Sequence, residues 1–153
     1  MIAIADATES VDRTLKIIRR VAAPRDAAWR AFTNRDCYAA WMGPENFKVE
    51  RCELDLRPSG RYRLFLRSNE GEEHVVSGEY QEIAPNERLV FTWGWETDGR
   101  RGTETTVTIE FRDHAKGTEI KLTQSVFETL ESRDEHAQGW ESSLVCLENH
   151  LCK

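Results

Sequence analysis

The chain has 153 residues, 39% hydrophobic and 31% charged, with a formal net charge of −6. A chain of this length buries roughly 68–70% of its unfolded surface, so one domain with its own core is expected, without staples. The acidic balance argues against a nucleic-acid binder, which shows a basic surface, and no run approaches the ~18 apolar residues of a membrane span.

Residues 1–12 lack periodicity and are expected to be a flexible N-terminal arm, with 13–153 forming a single domain. The arm has neither a basic start nor a long apolar stretch, so no secretion signal is read and a cytoplasmic location is expected. The four cysteines, Cys37, Cys52, Cys146 and Cys152, form no C-x-x-C pair. They are expected as reduced thiols, Cys52 and Cys146 as small buried hydrophobes.

Residues 14–21 alternate as a strand, with Leu15, Ile17, Arg19 and Val21 on one face. Pro24 suits the first position of a helix, on which Trp29 and Phe32 share a face. A second short helix is expected over 35–40, ending before Gly43-Pro44. Six strands then follow, near 47–56, 61–67, 73–83, 88–96, 104–112 and 118–125. They are separated by Pro58-Ser59-Gly60, Asn69-Glu70-Gly71, Pro85-Asn86, Asp98-Gly99 and Lys116-Gly117, all turn chemistry. Short turns between consecutive strands make an antiparallel meander. The apolar parity switches between Phe47 and Leu56, which predicts a bulge near Glu50–Arg51.

The chain ends in a helix predicted over 133–151, about 28 Å long. Ser132 and Glu135 match a capping box, and Ala137, Trp140, Leu144, Leu147 and Leu151 form one apolar stripe. Gly139 inside this helix costs roughly 1 kcal/mol against alanine, and close approach of the helix to the sheet is the expected reason. Laid across a curved sheet, the helix leaves a concave space.

Parity says what faces that space. Tyr62, Leu64 and Leu66 share a face, as do His74, Val76, Gly78 and Tyr80, and as do Leu89, Phe91, Trp93 and Trp95. Such aromatics are either plain core or the walls of an apolar cavity with a few polar anchors. Arg19, His74, Tyr62, Tyr80 and Gln124 lie on the inward parity, and each needs a partner, because an unpaired buried polar group costs about 1–3 kcal/mol. His74 is expected at the rim and His136 in solvent. No nucleophile elbow, phosphate loop, dinucleotide fingerprint or metal-ligand spacing is present. Hence no catalytic residue, metal or cofactor is assigned.

The strings Ala23-Pro24 with Trp29 and Phe32, Trp41-Met42-Gly43-Pro44, and Asp55-Leu56-Arg57-Pro58-x-Gly60 resemble the SRPBCC (START/Bet v 1-like) superfamily. So do Glu87–Trp93 and Arg133-Asp134-x-His136-x-x-Gly139-Trp140. Within it, the chain looks like the branch of homologues of the activator of heat-shock-protein-90 ATPase, from about residue 14 to 151. The resemblance implies an α+β helix-grip fold: a curved antiparallel sheet wrapped around a long C-terminal helix, with two short helices after the first strand. It also implies a cavity for a hydrophobic or amphipathic small molecule, although some relatives, such as aromatase/cyclases, are enzymes.

The favoured expectation is therefore binding of a hydrophobic or aromatic small molecule between sheet and helix. From the sheet, the expected walls are Tyr62, Leu64, Leu66, Val76, Tyr80, Phe91 and Trp93. The helix supplies Trp140 and Leu144, Arg19 or a rim residue takes a polar end, and the loop at Trp41–Pro44 acts as gate. An enzyme of the cyclase or hydrolase kind, using Arg19, His74, Tyr62 or Tyr80, is the alternative. A protein-interaction module, with a chaperone as the less favoured partner, is a further one. Neither nucleic acid nor membrane is expected as a partner, and monomer and homodimer both stay open.

Overall fold

The computed structural model describes residues 13–43 and 46–151. The proposed arm and Cys152 lie outside these residues.

Strand β1 (Leu15–Val21) leads through Pro24 into helix α1 (Arg25–Thr33). Asn34 ends α1 and starts α2 (Arg35–Trp41), its side-chain oxygen accepting from the Cys37 amide at 3.0 Å. Gly43, at φ +111°, turns the chain out of α2. Strands β2 (Phe47–Leu54), β3 (Arg61–Ser68), β4 (Glu73–Ala84) and β5 (Arg88–Thr97) follow. The two-residue β6 (Arg100–Arg101), β7 (Thr105–His114), β8 (Gly117–Ser125) and helix α3 (Leu130–Leu151) complete the fold.

The sheet runs β1-β8-β7-β5-β4-β3-β2, every pairing antiparallel, with β6 attached to β5. The meander is as the short turns predict, and β1 closes it by pairing along β8, from Leu15 opposite Gln124 to Val21 opposite Thr118. Beyond the expected strands, β6 exists because Asp98 and Gly99 both take positive φ, +51° and +77°. That is the geometry of a two-residue hairpin turn, which folds Arg101 back opposite Glu96.

Two irregularities bend the sheet. The register slips between Val49 and Arg51, where the parity switch places a bulge, and again between Tyr80 and Glu82. Beside the second slip, a Cβ on Gly78 would lie 1.8 Å from the Thr92 carbonyl oxygen, so no other residue fits there. The Tyr62 hydroxyl donates to that same carbonyl.

The concave face of the sheet and α3 enclose the core, the α+β helix-grip arrangement. Leu64, Val76, Val107, Ile109, Leu122, Leu144 and Leu147 have no exposed surface. The outer face is charged, as parity requires: Arg63 grips the Glu96 carboxylate with two bonds, 2.7 and 3.0 Å. Helix α3 starts three residues earlier than predicted. Its first turn is capped by the Thr129 hydroxyl, which accepts from the Ser132 amide at 3.0 Å, and not by Ser132. Threonine is also a favoured cap, and it comes first in the chain. Cys52 and Cys146 are half-buried against the core. Burial pushes the Cys52 thiol up to about 11, so it stays protonated at neutral pH.

Candidate functional site

The inner face of the sheet is not filled evenly. Toward the β3–β4 turn and the start of α3, a cavity of about 260 Å³ opens between them. Pockets for drug-sized ligands span roughly 300–1,000 Å³, so this one suits a small occupant of one or two rings.

The sheet contributes Leu66 from β3, His74 from β4, and Trp93 and Trp95 from β5. Period two puts the last two on one face, and adjacent strands bring them beside Leu66 and His74. Helix α3 contributes Glu135, His136, Gly139, Trp140 and Ser143, one face at helical spacing. Met42 and Phe47 close the side formed by the end of α2 and the start of β2.

The rings meet at steep angles. Trp93 and Trp95 are 5.6 Å apart at 89°, Trp93 and Trp140 5.3 Å apart at 45°. At the rim, His74 stands edge-on to both Phe47 and Trp95, at 70° and 84°. Packed this way the rings form walls at angles to one another, not a stack.

Two of the three indole N–H groups are satisfied within the protein. Trp140 Nε1 donates to Gln124 Oε1 at 2.7 Å, and Gln124 Nε2 donates on to the Thr105 hydroxyl at 2.8 Å. Trp95 Nε1 donates to His136 Nε2 at 2.9 Å. Because an indole N–H only donates, that nitrogen of His136 is the acceptor. His136 Nδ1 then carries the proton and donates to the Ser132 carbonyl at 2.8 Å. Burial lowers the His136 pKa and outweighs the Ser132 bond, which acts in the opposite sense, so the imidazole is neutral at pH 7. Trp93 Nε1 is different: among the described residues it is the one fully buried side-chain donor without a partner.

Gly139 corrects an expectation. A Cβ there would meet nothing within 4 Å, so the glycine does not serve close packing on the sheet; it borders the cavity and leaves it open. His136 is likewise half-buried and bonded to Trp95, not held in solvent, because the second turn of α3 lies over the end of β5.

Of the expected cavity walls, Leu66, Trp93 and Trp140 come together on the cavity. Leu64, Val76 and Leu144 have the inward orientation but are wholly enclosed by core. Tyr62, Tyr80 and Phe91 lie with Phe32, Tyr38 and Leu89 around a void of only about 10 Å³. That is at the lower limit for a single water and too small for a ligand. Burial raises the pKa of both tyrosines, which keeps them neutral.

Trp41 does not line the cavity: it is 2% exposed, its indole N–H donating to the Ala31 carbonyl at 2.8 Å and its ring packed edge-on against Phe32. From the expected gate, Met42 reaches the cavity and Pro44 lies outside the described residues. Arg19 is held elsewhere, Nε on Glu148 at 2.8 Å and Nη1 on Glu141 at 3.1 Å, tying β1 to α3. The four groups proposed for acid–base work therefore do not assemble; His74 alone borders the cavity, 3.4 Å from the Glu72 carboxylate.

Parity could not find His136, Glu135 or Ser143, because their side of the helix faces a gap and not a packed strand. The signal available was Gly139, three residues after His136 in a helix that has no other glycine. Among the described residues no three His, Cys, Asp or Glu side chains are placed to hold a metal ion, and no helix is long and apolar enough to cross a membrane.

The profile of the family described as "Activator of Hsp90 ATPase homolog 1-like protein" matches residues 22–151. Among solved structures, the AHSA1 protein of Silicibacter pomeroyi is similar at 28% identity and a TM-score of 0.85, over 91% of this chain and 97% of that one. A protein from Chromobacterium violaceum is similar at 26% identity and a TM-score of 0.84, over 91% and 96% of the two chains. DynU16, a protein of the dynemicin biosynthetic locus, shares the fold at 20% identity and a TM-score of 0.72, over 91% of this chain and 47% of that one. No curated protein matches the sequence.

Proposed function

The chain belongs to the activator of Hsp90 ATPase homolog 1-like family, and on that premise we propose that it binds a small hydrophobic or aromatic molecule in the cavity between β5 and α3. One observation carries this. Gly139 sits ten positions into a 22-residue helix, where glycine costs roughly 1 kcal/mol against alanine. No neighbour forbids a larger side chain there, and the space beside it is the cavity. A residue that weakens its helix and packs against nothing is accounted for by an occupant. The surrounding rings agree, since they gain from a filled cavity.

The experiment is a thermal-shift screen of small aromatic and hydroaromatic compounds on the wild type and on Gly139→Leu, preceded by native mass spectrometry of freshly purified protein. A compound at 100 times its dissociation constant stabilises the wild type by about 2.7 kcal/mol. The leucine, projecting into the cavity, abolishes that shift. No adduct and no shift across the panel would remove the proposal.

A further inference from the structure

Resting on that function, we infer that the occupant is an organic cation: an amine or quaternary ammonium whose apolar body lies between Trp93 and Trp140 and whose charge sits at the rim, beside Trp95 and Glu135.

Charge comes first. Among the described residues, neither lysine nor arginine lines the cavity, and the one carboxylate on it is Glu135, on the exposed first turns of α3. His136 adds no positive charge, since its accepting nitrogen is engaged by Trp95 and burial holds it neutral. The whole chain carries −6, a net charge that favours the approach of cations over anions.

The aromatic walls add to this through their orientation. An indole ring has a negative face and a positive edge, and the N–H is the most positive part of that edge. Here the N–H groups of Trp95 and Trp140 are turned onto His136 and Gln124. Trp93 Nε1 is buried away from solvent. The three N–H groups are therefore occupied or shut in, while inclined rings surround the space. Among the described residues an anion meets no lysine or arginine, and the other side chains there that can donate are His74 and Ser143. A cation meets aromatic rings and one carboxylate, the combination that recognises ammonium groups.

The volume limits its size. About 260 Å³ admits a phenyl or indolyl ring with a short side chain, not a lipid tail.

The test compares two probes of one shape, benzyltrimethylammonium and its uncharged carbon isostere neopentylbenzene, by quenching of tryptophan fluorescence. Both are titrated into wild type, Glu135→Gln and Gly139→Leu. The cation is expected to bind the wild type about tenfold more tightly than the isostere. Glu135→Gln is expected to weaken the cation severalfold and leave the isostere unchanged. Glu135 is exposed, so this variant folds. Equal or tighter binding of the isostere, blocked by Gly139→Leu, would overturn the charge preference and leave small-molecule binding standing. Quenching by neither probe would overturn both.

Discussion

The indole N–H of Trp95 and Nε2 of His136 meet at 2.9 Å, and this bond joins the end of β5 to the first turns of α3 at the mouth of the cavity. It survives only while that nitrogen is unprotonated, because a protonated Nε2 would place two donors face to face. The His136 pKa is lowered below its unfolded value of 6.5, chiefly by burial. The unfolded chain thus binds more protons in the window just below pH 6.5, and stability falls as pH falls through it. Urea midpoints at pH 7.5, 6.5 and 5.5 should drop more for the wild type than for His136→Gln. Parallel slopes would show that His136 does not carry this dependence.

Gln124 bridges Trp140 and Thr105 with no exposure to water. Gln124→Leu leaves the Trp140 N–H without its acceptor and takes away the donor to Thr105. At about 1–3 kcal/mol for each buried orphan, a loss of about 3 kcal/mol is expected. Equilibrium denaturation reads it directly, and a loss under about 1 kcal/mol would mean the network relaxes onto other partners.

Gly139→Ala should raise stability by roughly 0.5–1 kcal/mol, because alanine favours the helix and its methyl enters open space. The midpoint of thermal unfolding reports this. A lower midpoint would mean that the helix depends on the glycine for its path.

Arg19 separates structure from site. Its ion pairs with Glu148 and Glu141 are partly solvent-exposed, so Arg19→Ala is expected to cost about 1 kcal/mol or less, and less still in high salt. Ligand affinity should not change. A weakened ligand with unaltered stability would bring Arg19 back to the site.

Trp41→Ala, by contrast, should cost about 3–5 kcal/mol, the price of emptying a core position. The indole is enclosed by Phe32 and Tyr38 and bonded to Ala31. A stable variant with altered ligand kinetics would restore the gate.

Much of this architecture was present in local chemistry. Turn residues such as Asp98-Gly99 and the alternation of Tyr62, Leu64 and Leu66 specify strands and faces within a few residues. The parity switch at Glu50–Arg51 even located a bulge. Parity, however, reports only which way a side chain points. Tyr80 and Trp93 have the same inward orientation, yet Tyr80 closes on Tyr62 and Phe91 around a void of about 10 Å³ while Trp93 borders one of about 260 Å³.

What the sequence determined by itself was the order of elements, the sidedness of the sheet and the apolar stripe of the last helix, because each follows from neighbours along the chain. Where helix and sheet part was decided only in three dimensions. That gap depends on the tilt of α3 over the bent sheet, on Gly139 meeting nothing, and on a histidine and a tryptophan 41 residues apart in the chain finding each other. No local pattern encodes such a distance, since it is set by the packing of every residue between.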